Sequence, residues 1–495
     1  MVFLSDLPTE LLLAILEFTP VPDCAIIATV SRRLCDAARV RLYQDIRLDW
    51  NTGEFPPVSK LLRAFVDNQE LRGLVKSLEL CGIGWTDPSI VTPTIPLILD
   101  QDKACSLIRD THLPHIETWE KAFREENLDA VVSLLVVLLQ HNLVNLSVIK
   151  NFARDNRILS QTILHVIQST TRNGSEGDVW PAFPKLTNVT VFSRPPVYPT
   201  CPFKNTPDVL GWFYLPHIQR LRLSIDNPFE FTWPLPQPPQ PQYQRHLSID
   251  QIRECRVLPI LAVCSGLEEL TWNIRHRYGH DADVISETPC MNLRQVTEVL
   301  APLRGSLKTL YLGAECFGGL YDSDQPPLTL IGFLDLANFT EMRNFTVPWN
   351  FYMGMDLEDE SNMGHHGPLP ANLTSLKKIG HFGTLPINLT SLIFTSGIEY
   401  DPENQWDGAE MLTVSREFIE EGRLRYTPHL RQFGVHTAFF DFDRQAIGEL
   451  GKLCEVKGIS HSFKDPHEVM MMTNQIPAQP ECWTWVPPPC TRRDD

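Results

Sequence analysis

The sequence predicts an α/β protein in which a short helical module at the N-terminus precedes a long, irregular series of strand and helix units. Three observations lead to this fold class. Apolar residues near the N-terminus recur at helical spacing. From residue 71 onward a short strand-like pattern returns nine times. Helical patterns precede many of these strands, and 43% of the 495 residues are apolar, which is enough for a large core.

The first fifty residues predict three short helices and then a strand. A helix begins at Pro8, because the first helical residue tolerates a missing N–H, and Glu10 places a negative charge in the first turn. Asp23 is a good N-cap for a second helix, and a third apolar stripe runs through Leu34 at a spacing of four. Residues 45–49 alternate polar and apolar, which predicts a strand.

This N-terminal stretch resembles an F-box. The order L-P-x-E-L-L-x-x-I-L, then a proline and an acidic residue, then V-S-R-R and a terminal L-Y is similar to that family's motif. The resemblance implies that residues 1–50 dock on a Skp-type adaptor and, through it, on a cullin. Carried over position by position, the adaptor-binding residues would be Leu7, Pro8, Leu11, Leu12, Ile15, Leu16, Val30 and Leu34. Cys24-Ala25 and Leu34 depart from the family's usual residues, which predicts weaker adaptor binding than is typical.

The nine returning patterns resemble the strand code of a leucine-rich repeat: an apolar residue, two others, an apolar residue, one other and a third apolar residue. We assign residues 51–465 to this irregular solenoid. Parallel strands joined by helices are expected to form an arc with strands inside and helices outside. The helical patterns that precede strands lie at Leu128 to Gln140, Ile158 to Thr170, Ile249 to Val263 and Asn292 to Leu303.

One residue of each pattern is expected to point to the inner face, because side chains alternate along a strand. These residues are Glu79, Ser147, Thr190, Arg222, Thr271, Tyr311, Thr346, Ile393 and Gly434. Arg222 and Tyr311 are the predicted contacts to a target protein, since arginine and tyrosine are frequent anchors at interfaces.

Several segments do not continue the repeat. Proline-rich or glycine-rich and acidic insertions are predicted at 193–207, 226–246 and 350–371; each is read as a solvated loop or as a rim that contacts a partner. A closing helix is expected at 443–456 and an edge strand at 458–464. Residues 466–495 are predicted to be a loose tail.

Composition argues against several classes of function. A net charge of −17 disfavours nucleic acid as a partner. The N-terminus lacks a signal peptide's pattern, and the longest apolar run, Val131 to Leu139, is about half of a membrane span. We therefore expect a protein of the cytoplasm, the nucleus or both, without contact to a membrane. The twelve cysteines form no metal-binding or disulfide framework.

No motif predicts catalysis, a metal or a cofactor. There is no phosphate loop, nucleophile elbow or H-E-x-x-H motif. Asp441 and Asp443 could be read as metal ligands, but Asp443 is better placed as a helix N-cap; the pair His365-His366 is read as solvated.

The resemblance therefore implies a non-catalytic, substrate-recognition subunit of an SCF-type cullin-RING ubiquitin ligase. Two alternatives remain open. The chain could be an interaction scaffold that binds the adaptor without a cullin, or the N-terminal helices could be a plain bundle that caps the next domain. A hydrolase built on the repeats has no nucleophile and base to support it.

Overall fold

The computed structural model describes residues 7–50, 57–82, 95–149, 152, 157–172, 183–192, 207–225, 227, 230–277, 290–317, 329–353, 382–395, 408–436 and 444–464. These residues divide into two compact units. The first comprises the described residues up to Ser224 together with 232–243, and the second comprises 225–231 and the described residues from Gln244 onward.

The first unit begins with helices and continues as a parallel α/β region. Its elements are α1 (Thr9–Glu17), α2 (Val21–Ala28), α3 (Arg32–Gln44), β1 (Asp45–Trp50), α4 (Val58–Asp67), α5 (Gln69–Arg72), β2 (Ser77–Gly82), α6 (Gln101–Arg109), α7 (Ile116–Arg124), α8 (Leu128–Leu139), β3 (Asn145–Ile149), α9 (Arg157–Arg172), β4 (Asn188–Phe192), a 3-10 segment (Pro207–Tyr214) and β5 (Arg220–Ser224).

The second unit contains nine strands among its described residues. Its elements are β6 (His246–Gln251), α10 (Leu258–Val263), β7 (Glu269–Arg277), β8 (Cys290–Asn292), α11 (Leu293–Leu300), a 3-10 turn (Ala301–Leu303), β9 (Thr309–Phe317), β10 (Thr329–Ile331), β11 (Asn344–Pro348), α12 (Asn350–Met353), a 3-10 turn (Phe382–Thr384), β12 (Ser391–Thr395), α13 (Gly408–Glu417), a π-helical turn (Phe418–Gly422), α14 (Arg423–Tyr426), β13 (Gln432–His436), α15 (Arg444–Val456) and β14 (Ser460–Lys464).

Each unit has a parallel sheet whose strands follow chain order. In the first unit the order is β1-β2-β3-β4-β5, and in the second it is β6-β7-β9-β11-β12-β13-β14, with β8 and β10 forming a separate parallel pair. A parallel pair needs a long crossover between its strands, and the sequence supplies helices or long loops there. The predicted mixed α/β class, with N-terminal helices and parallel strands, is confirmed.

A recurring hydrogen-bond junction sets the start of most strands. The carbonyl of Lys76 accepts the N–H groups of both Val144 (2.7 Å) and Asn145 (3.0 Å). In the second unit the carbonyl of Lys308 does the same for Arg343 (2.8 Å) and Asn344 (3.0 Å). The carbonyl of the residue before one strand thus accepts two N–H groups from the start of the neighbouring strand. Neighbouring strands therefore begin at the same level, and their residues stay in register.

The cores of the two units are apolar, and they contain tryptophan rings whose N–H groups are hydrogen-bonded. All residues of α8 but one are buried, which explains why its sequence is apolar on every side. Trp119 and Trp272 are fully buried, and their ring N–H groups donate to the carbonyls of Ala130 (3.0 Å) and Ile252 (2.9 Å). No helix among the described residues is long and apolar enough to span a bilayer.

Most predicted elements are found close to their expected positions. The helices expected at Leu128 to Gln140, Ile158 to Thr170 and Asn292 to Leu303 are α8, α9 and α11 with its 3-10 turn, and the expected closing helix and edge strand are α15 and β14. The strand expected at 45–49 is β1.

Two local predictions were wrong. The helix expected from Ile249 to Val263 is instead β6 followed by the short α10, because Leu247 and Ile249 alternate with polar residues and both are buried. Asp23 does not cap α2: this helix begins at Val21 after Pro20, and Asp23 lies inside its first turn. Pro22 favours this start, because the first turn of a helix needs no backbone donor.

Other predictions lie partly or wholly outside the described residues. Of the insertion at 226–246, residues 227 and 230–245 are irregular and His246 begins β6. The insertion at 193–207 contributes only Pro207, and the one at 350–371 only α12. His365, His366, Asp441, Asp443 and the segment 466–495 are not among the described residues.

Candidate functional site

The first candidate site lies on the three N-terminal helices, α1 to α3, which we call the N-terminal module. Prolines and a serine set where these helices begin. The carbonyl of Pro8 accepts the N–H groups of Leu11 and Leu12 at 3.1 Å, and Pro20 precedes α2. Ser31 caps α3, with its hydroxyl oxygen accepting the N–H of Leu34 at 3.3 Å.

The interior of the module is filled by one set of apolar side chains. Three of the eight residues predicted to contact an adaptor belong to it: Leu12, Leu16 and Leu34 are 1%, 2% and 4% exposed. Cys24 and Ala28 of α2 and Ala38 and Leu42 of α3 are also buried, and α3 contacts both α1 and α2. These side chains therefore hold the helices together, and only the remaining predicted residues lie where a partner could touch them directly.

A second set of apolar side chains in the module points to solvent. Leu11, Ile15 and Val30 are 52%, 41% and 69% exposed, Pro8 is exposed, and Leu7 is half-buried. Leu11 and Ile15 lie one turn apart on α1, so they share one side of that helix. We call Pro8, Leu11, Ile15, Phe18, Ile26 and Val30 the apolar face of the module.

Phe18 and Ile26 were missed as site residues by the sequence analysis. Phe18 is 87% exposed and Ile26 is 64% exposed, whereas large apolar side chains are normally buried. Phe18 stands one turn after Ala14 and three residues after Ile15, so its spacing extends the exposed side of α1. This spacing in the sequence could have identified Phe18 as part of the exposed side. Leu13 is also partly exposed, at 36%, but lies on another side of the helix.

Of the residues that depart from the usual F-box pattern, Cys24 and Leu34 lie inside the module, whereas Ala25 is half-buried. Cys24 is fully buried, and its thiol lies 3.8 Å from the carbonyl oxygen of Leu16 and 3.7 Å from that of Thr19. Burial raises the pKa of this thiol. Since Cys24 and Leu34 face inward, their direct effect is on the packing of the helices and not on the apolar face. The prediction of weaker adaptor binding remains a prediction.

The second candidate site is a row of side chains on the sheet of each unit. In the first unit Arg47, Glu79, Ser147, Thr190 and Arg222 are matched in register across β1 to β5. In the second unit the matched residues are Ser248, Thr271, Tyr311, Thr346, Ile393, Gly434 and Ser462. All nine residues of the predicted inner column therefore lie in these two rows, which we call the inner rows. Arg47, Ser248 and Ser462 were missed.

The inner row of the first unit carries charge at both ends. Arg47 contacts Asp49 (3.0 Å) and Glu79 (3.2 Å), so two carboxylates share one guanidinium. Burial raises the pKa of Glu79, Arg47 opposes that rise and Asp49 adds to it. At the other end, the guanidinium of Arg222 lies 4.3 Å from the centre of the Phe192 ring, which holds the cation against an apolar surface.

Tyr311 lies in the inner row of the second unit, next to a glycine that gives it room. A Cβ at Gly313 would meet the Tyr311 ring at 3.2 Å and the amide oxygen of Asn273 at 2.5 Å. Asn273 donates to the buried Asp250 carboxylate at 2.8 Å. Arg222 and Tyr311 belong to different units, so each is considered in its own row.

Perturbed titratable groups do not assemble a catalytic centre in the described ranges. Burial raises the pKa of Cys264 to about 12 and lowers that of His115. The His115 ring lies 3.1 Å from the Thr162 hydroxyl, but Thr162 is fully buried and donates to the Ile158 carbonyl. No group of three or more His, Cys, Asp or Glu side chains in the described part of the chain is arranged to hold a metal ion.

The comparison with protein families identifies the N-terminal module. The F-box-like family matches residues 4–49, which contain α1 to α3 and most of β1. The chain therefore carries an F-box-like domain, which supports the resemblance seen in the sequence. No curated protein matches the chain.

Proposed function

We propose that this chain is the substrate-recognition subunit of an SCF-type cullin-RING ubiquitin ligase, acting in the cytoplasm, the nucleus or both. One observation carries the proposal: the F-box-like match coincides with a small helical module whose core is filled and whose apolar face is nevertheless exposed. An F-box-like domain implies binding to a Skp-type adaptor and hence to a cullin. Exposed apolar side chains of this size favour a protein partner.

The adaptor binds, in this proposal, through Pro8, Leu11, Ile15, Phe18, Ile26 and Val30, with Leu7 at the margin. Leu12, Leu16 and Leu34 contribute by holding the helices in place. Full burial of one leucine, isoleucine or phenylalanine is worth about 1.5–3 kcal/mol. The apolar face is therefore large enough to support stable binding without any ion pair.

The target binds to the inner rows, which we propose belong to leucine-rich-repeat-like units. Two features support this. The shared register of the rows and the recurring two-donor junction are what equivalent positions of a repeating pattern would have. The side chains of each row differ from strand to strand, which suits recognition of one protein surface. Arg222 and Tyr311 remain the preferred anchors.

The receptor carries out no bond chemistry in this proposal. Its contribution is to hold the target near a ubiquitin-charged carrier enzyme, which raises the effective concentration of the target and orients it.

Co-expression with a Skp-type adaptor tests adaptor binding. The wild-type chain is expected to form a one-to-one complex, and the double variant Leu11→Asp/Ile15→Asp is expected to lose it, because two charges would be buried against an apolar partner. The matched control is Leu424→Asp, since Leu424 is 71% exposed but lies in the second unit. Retained adaptor binding by the double variant would contradict the assignment of the apolar face as the adaptor-binding surface.

A pull-down from cells separates the ligase from the scaffold alternative. Recovery of both adaptor and cullin supports the ligase, whereas adaptor without cullin supports a scaffold. Proximity mass spectrometry should then show targets accumulating on the Leu11→Asp/Ile15→Asp variant. Adding Arg222→Ala or Tyr311→Ala should reduce the enrichment of those targets; unchanged enrichment would remove both residues from the proposed target surface.

A further inference from the structure

The sheet of the first unit carries opposite charges at the two ends of its inner side. A second row of side chains lies two residues before the inner row on each strand and therefore on the same side of the sheet. Its members are matched in register from β1 to β5: Asp45, Ser77, Asn145, Asn188 and Arg220. Both rows thus have a carboxylate on β1 or β2 and end in an arginine on β5. We call the two rows together the charged face.

The charged face is accessible to a partner along its whole length. Asp45 and Arg220 are exposed, and the other residues of the two rows are all half-buried, so none of them is enclosed. The strands between the two ends contribute neutral polar side chains: Asn145, Ser147, Asn188 and Thr190. The amide of Asn188 donates to the amide oxygen of Asn145 at 2.6 Å, which fixes the orientation of both groups in this middle part.

The end on β1 and β2 has more carboxylate charge than its arginine neutralises. The guanidinium of Arg47 is shared by Asp49 at 3.0 Å and Glu79 at 3.2 Å, which leaves one negative charge in excess. Asp45 has a separate partner, Arg41, at 3.1 Å. Burial raises the pKa of Glu79 although Arg47 opposes the rise, so the ionised carboxyl is incompletely compensated. A positive group of a partner would supply the missing compensation.

The end on β5 carries two arginines. Arg220 and Arg222 lie two residues apart, so they share one side of the strand. Arg220 is exposed and forms no ion pair within the part of the chain that the structure describes. The Arg222 guanidinium lies 4.3 Å from the ring centre of Phe192, which holds the charge at the face. Guanidinium groups in this position suit a carboxylate, which accepts two parallel hydrogen bonds from an arginine.

The distance between the two ends sets the spacing of the partner's charges. Neighbouring strands lie about 4.8 Å apart, so the three steps from Glu79 on β2 to Arg222 on β5 span about 14 Å. In an extended chain, residues four positions apart are separated by about 13 Å and lie on the same side. In a helix, a residue about 14 Å away is about nine positions along the chain and lies on the opposite side. The spacing therefore favours an extended partner.

Two other occupants fit the charged face less well. A second copy placed face to face would bury the hydroxyl and amide groups of both copies, whereas sheets that pack on each other use apolar side chains. Each copy also carries a net charge of −17, so copies repel each other. A nucleic acid would meet the excess carboxylate at β1 and β2. One protein segment can match both charged ends and leave the middle of the face hydrated.

We propose that the charged face binds an extended segment of a target protein, with a lysine or arginine placed over β1 and β2 and an aspartate or glutamate, four residues away, placed over β5. This inference rests on the proposed function, in which the inner rows hold a target. It gives Arg222 a partner of defined charge, and it adds Arg220 and Glu79 to the target-binding residues.

Peptide selection tests the charge pattern. The probes are twelve-residue peptides from a random display library, selected on the wild-type chain and counter-selected on Arg220→Glu/Arg222→Glu, which removes peptides that bind other surfaces. The surviving peptides should be enriched, in either order, in one basic and one acidic residue four positions apart. Absence of this enrichment, or failure to obtain any surviving peptide, would overturn the proposal.

Charge reversal tests the end on β5. A selected peptide should bind Arg220→Glu/Arg222→Glu at least about tenfold more weakly than wild type. The same peptide with lysine in place of its acidic residue should recover binding to this variant, which a loss of structure would not produce. Lys121→Glu, exposed on α7 of the same unit, is the matched control, and its affinity should stay within about twofold of wild type.

The exposed arginine keeps this test decisive if the double variant fails to fold. Arg220→Glu alone should bind the selected peptide about threefold more weakly than Lys121→Glu does, because both variants change the net charge equally and only Arg220 lies on the charged face. Equal affinities of Arg220→Glu and Lys121→Glu for the peptide would overturn the proposal.

A double-mutant cycle tests the end on β1 and β2. Glu79→Gln removes the charge at nearly constant size, so the selected peptide should bind about threefold more weakly. Replacing the basic residue of the peptide by alanine should weaken binding to wild type but not to Glu79→Gln, since the two changes remove the same interaction. Losses that simply add would show that Glu79 and the basic residue do not meet, and would overturn this part of the proposal.

Self-association and adaptor binding complete the test. Sedimentation of the wild-type chain should show no self-association that Arg220→Glu abolishes; such a result would assign the charged face to a second copy and overturn the proposal. Arg220→Glu and Glu79→Gln should retain the adaptor complex, because the apolar face lies on other residues. If they retain it and bind the selected peptides as wild type does, only the charged face is refuted. If the wild-type chain binds no adaptor, the proposed function fails, whatever the peptides do.

Discussion

The N-terminal module and the segment after β6 distribute polarity in opposite ways. The module exposes apolar side chains such as Leu11, Phe18 and Val30. The segment after β6 buries charged ones: Arg253 and Glu254 are 5% and 2% exposed. Both patterns depart from the usual distribution, but for different reasons.

The difference lies in where each group finds its partner. Arg253 donates to Glu254 (3.3 Å) and to the carbonyl of Cys290 (2.7 Å), and Glu254 accepts the N–H of Asn292 at 3.3 Å. These contacts are internal and tie β8 to the segment after β6. The apolar face has no such internal partner among the described residues. A buried ion pair whose charges are held by partners inside the chain therefore indicates architecture, whereas on an exposed apolar face we expect a second protein.

The largest expected effect follows from breaking the buried ion pair. Arg253→Met should lower the free energy of unfolding of the second unit by about 3–5 kcal/mol, because Glu254 would be left as an uncompensated buried charge. Denaturant unfolding measures this loss, and adaptor binding should be unchanged. The double variant Arg253→Met/Glu254→Met should recover part of the stability; a single variant that costs less than about 1 kcal/mol would show that the pair does not anchor β8.

The module offers the next largest effect, with a matched pair of neighbours on one helix. Leu16→Ala should lower the stability of the first unit by about 2–5 kcal/mol, because Leu16 is 2% exposed and its loss leaves a cavity. Ile15 is 41% exposed, so Ile15→Ala should lower the stability of the first unit much less than Leu16→Ala does. It should instead weaken adaptor binding. Thermal unfolding and a co-purification assay distinguish the two. Equal losses of stability would contradict the assignment of core and face.

Gln140 sharpens the comparison, because its amide is buried without the partners that Arg253 and Glu254 have. It is 1% exposed at the end of α8, and neither its amide oxygen nor its amide nitrogen makes a hydrogen bond. Gln140→Met keeps the length of the side chain and removes the unsatisfied polar atoms, so it should stabilise the first unit by about 1 kcal/mol. His141→Met, at an exposed neighbouring site, is the control. A destabilised Gln140→Met variant would show that a water satisfies the amide.

The sequence predicted the inner rows well because strand alternation is a local property. An apolar residue at every second position is enough to place Glu79, Thr190 and Tyr311 in one row of each sheet. It failed at β6, where a short apolar run after many prolines fits a strand or a helix equally well. It also could not divide the module's leucines into core and face, since Leu11 and Leu12 are neighbours and only packing decides which is buried.

The smallest expected effect concerns Glu79 in the inner row, a charged side chain that is neither fully buried nor fully exposed. Burial raises the pKa of its carboxyl above the ordinary 4.5, so the folded chain holds this proton more tightly than the unfolded chain does. The resulting stabilisation is fully present below pH 4.5 and is lost as the pH rises through the raised pKa. Glu79→Gln should therefore raise the melting temperature at pH 7 by about 1 °C and leave it unchanged at pH 4. Glu70→Gln, at an exposed site, is the control. A lower melting temperature of Glu79→Gln at pH 7 would instead show that the attraction of Arg47 outweighs the cost of burying this carboxylate.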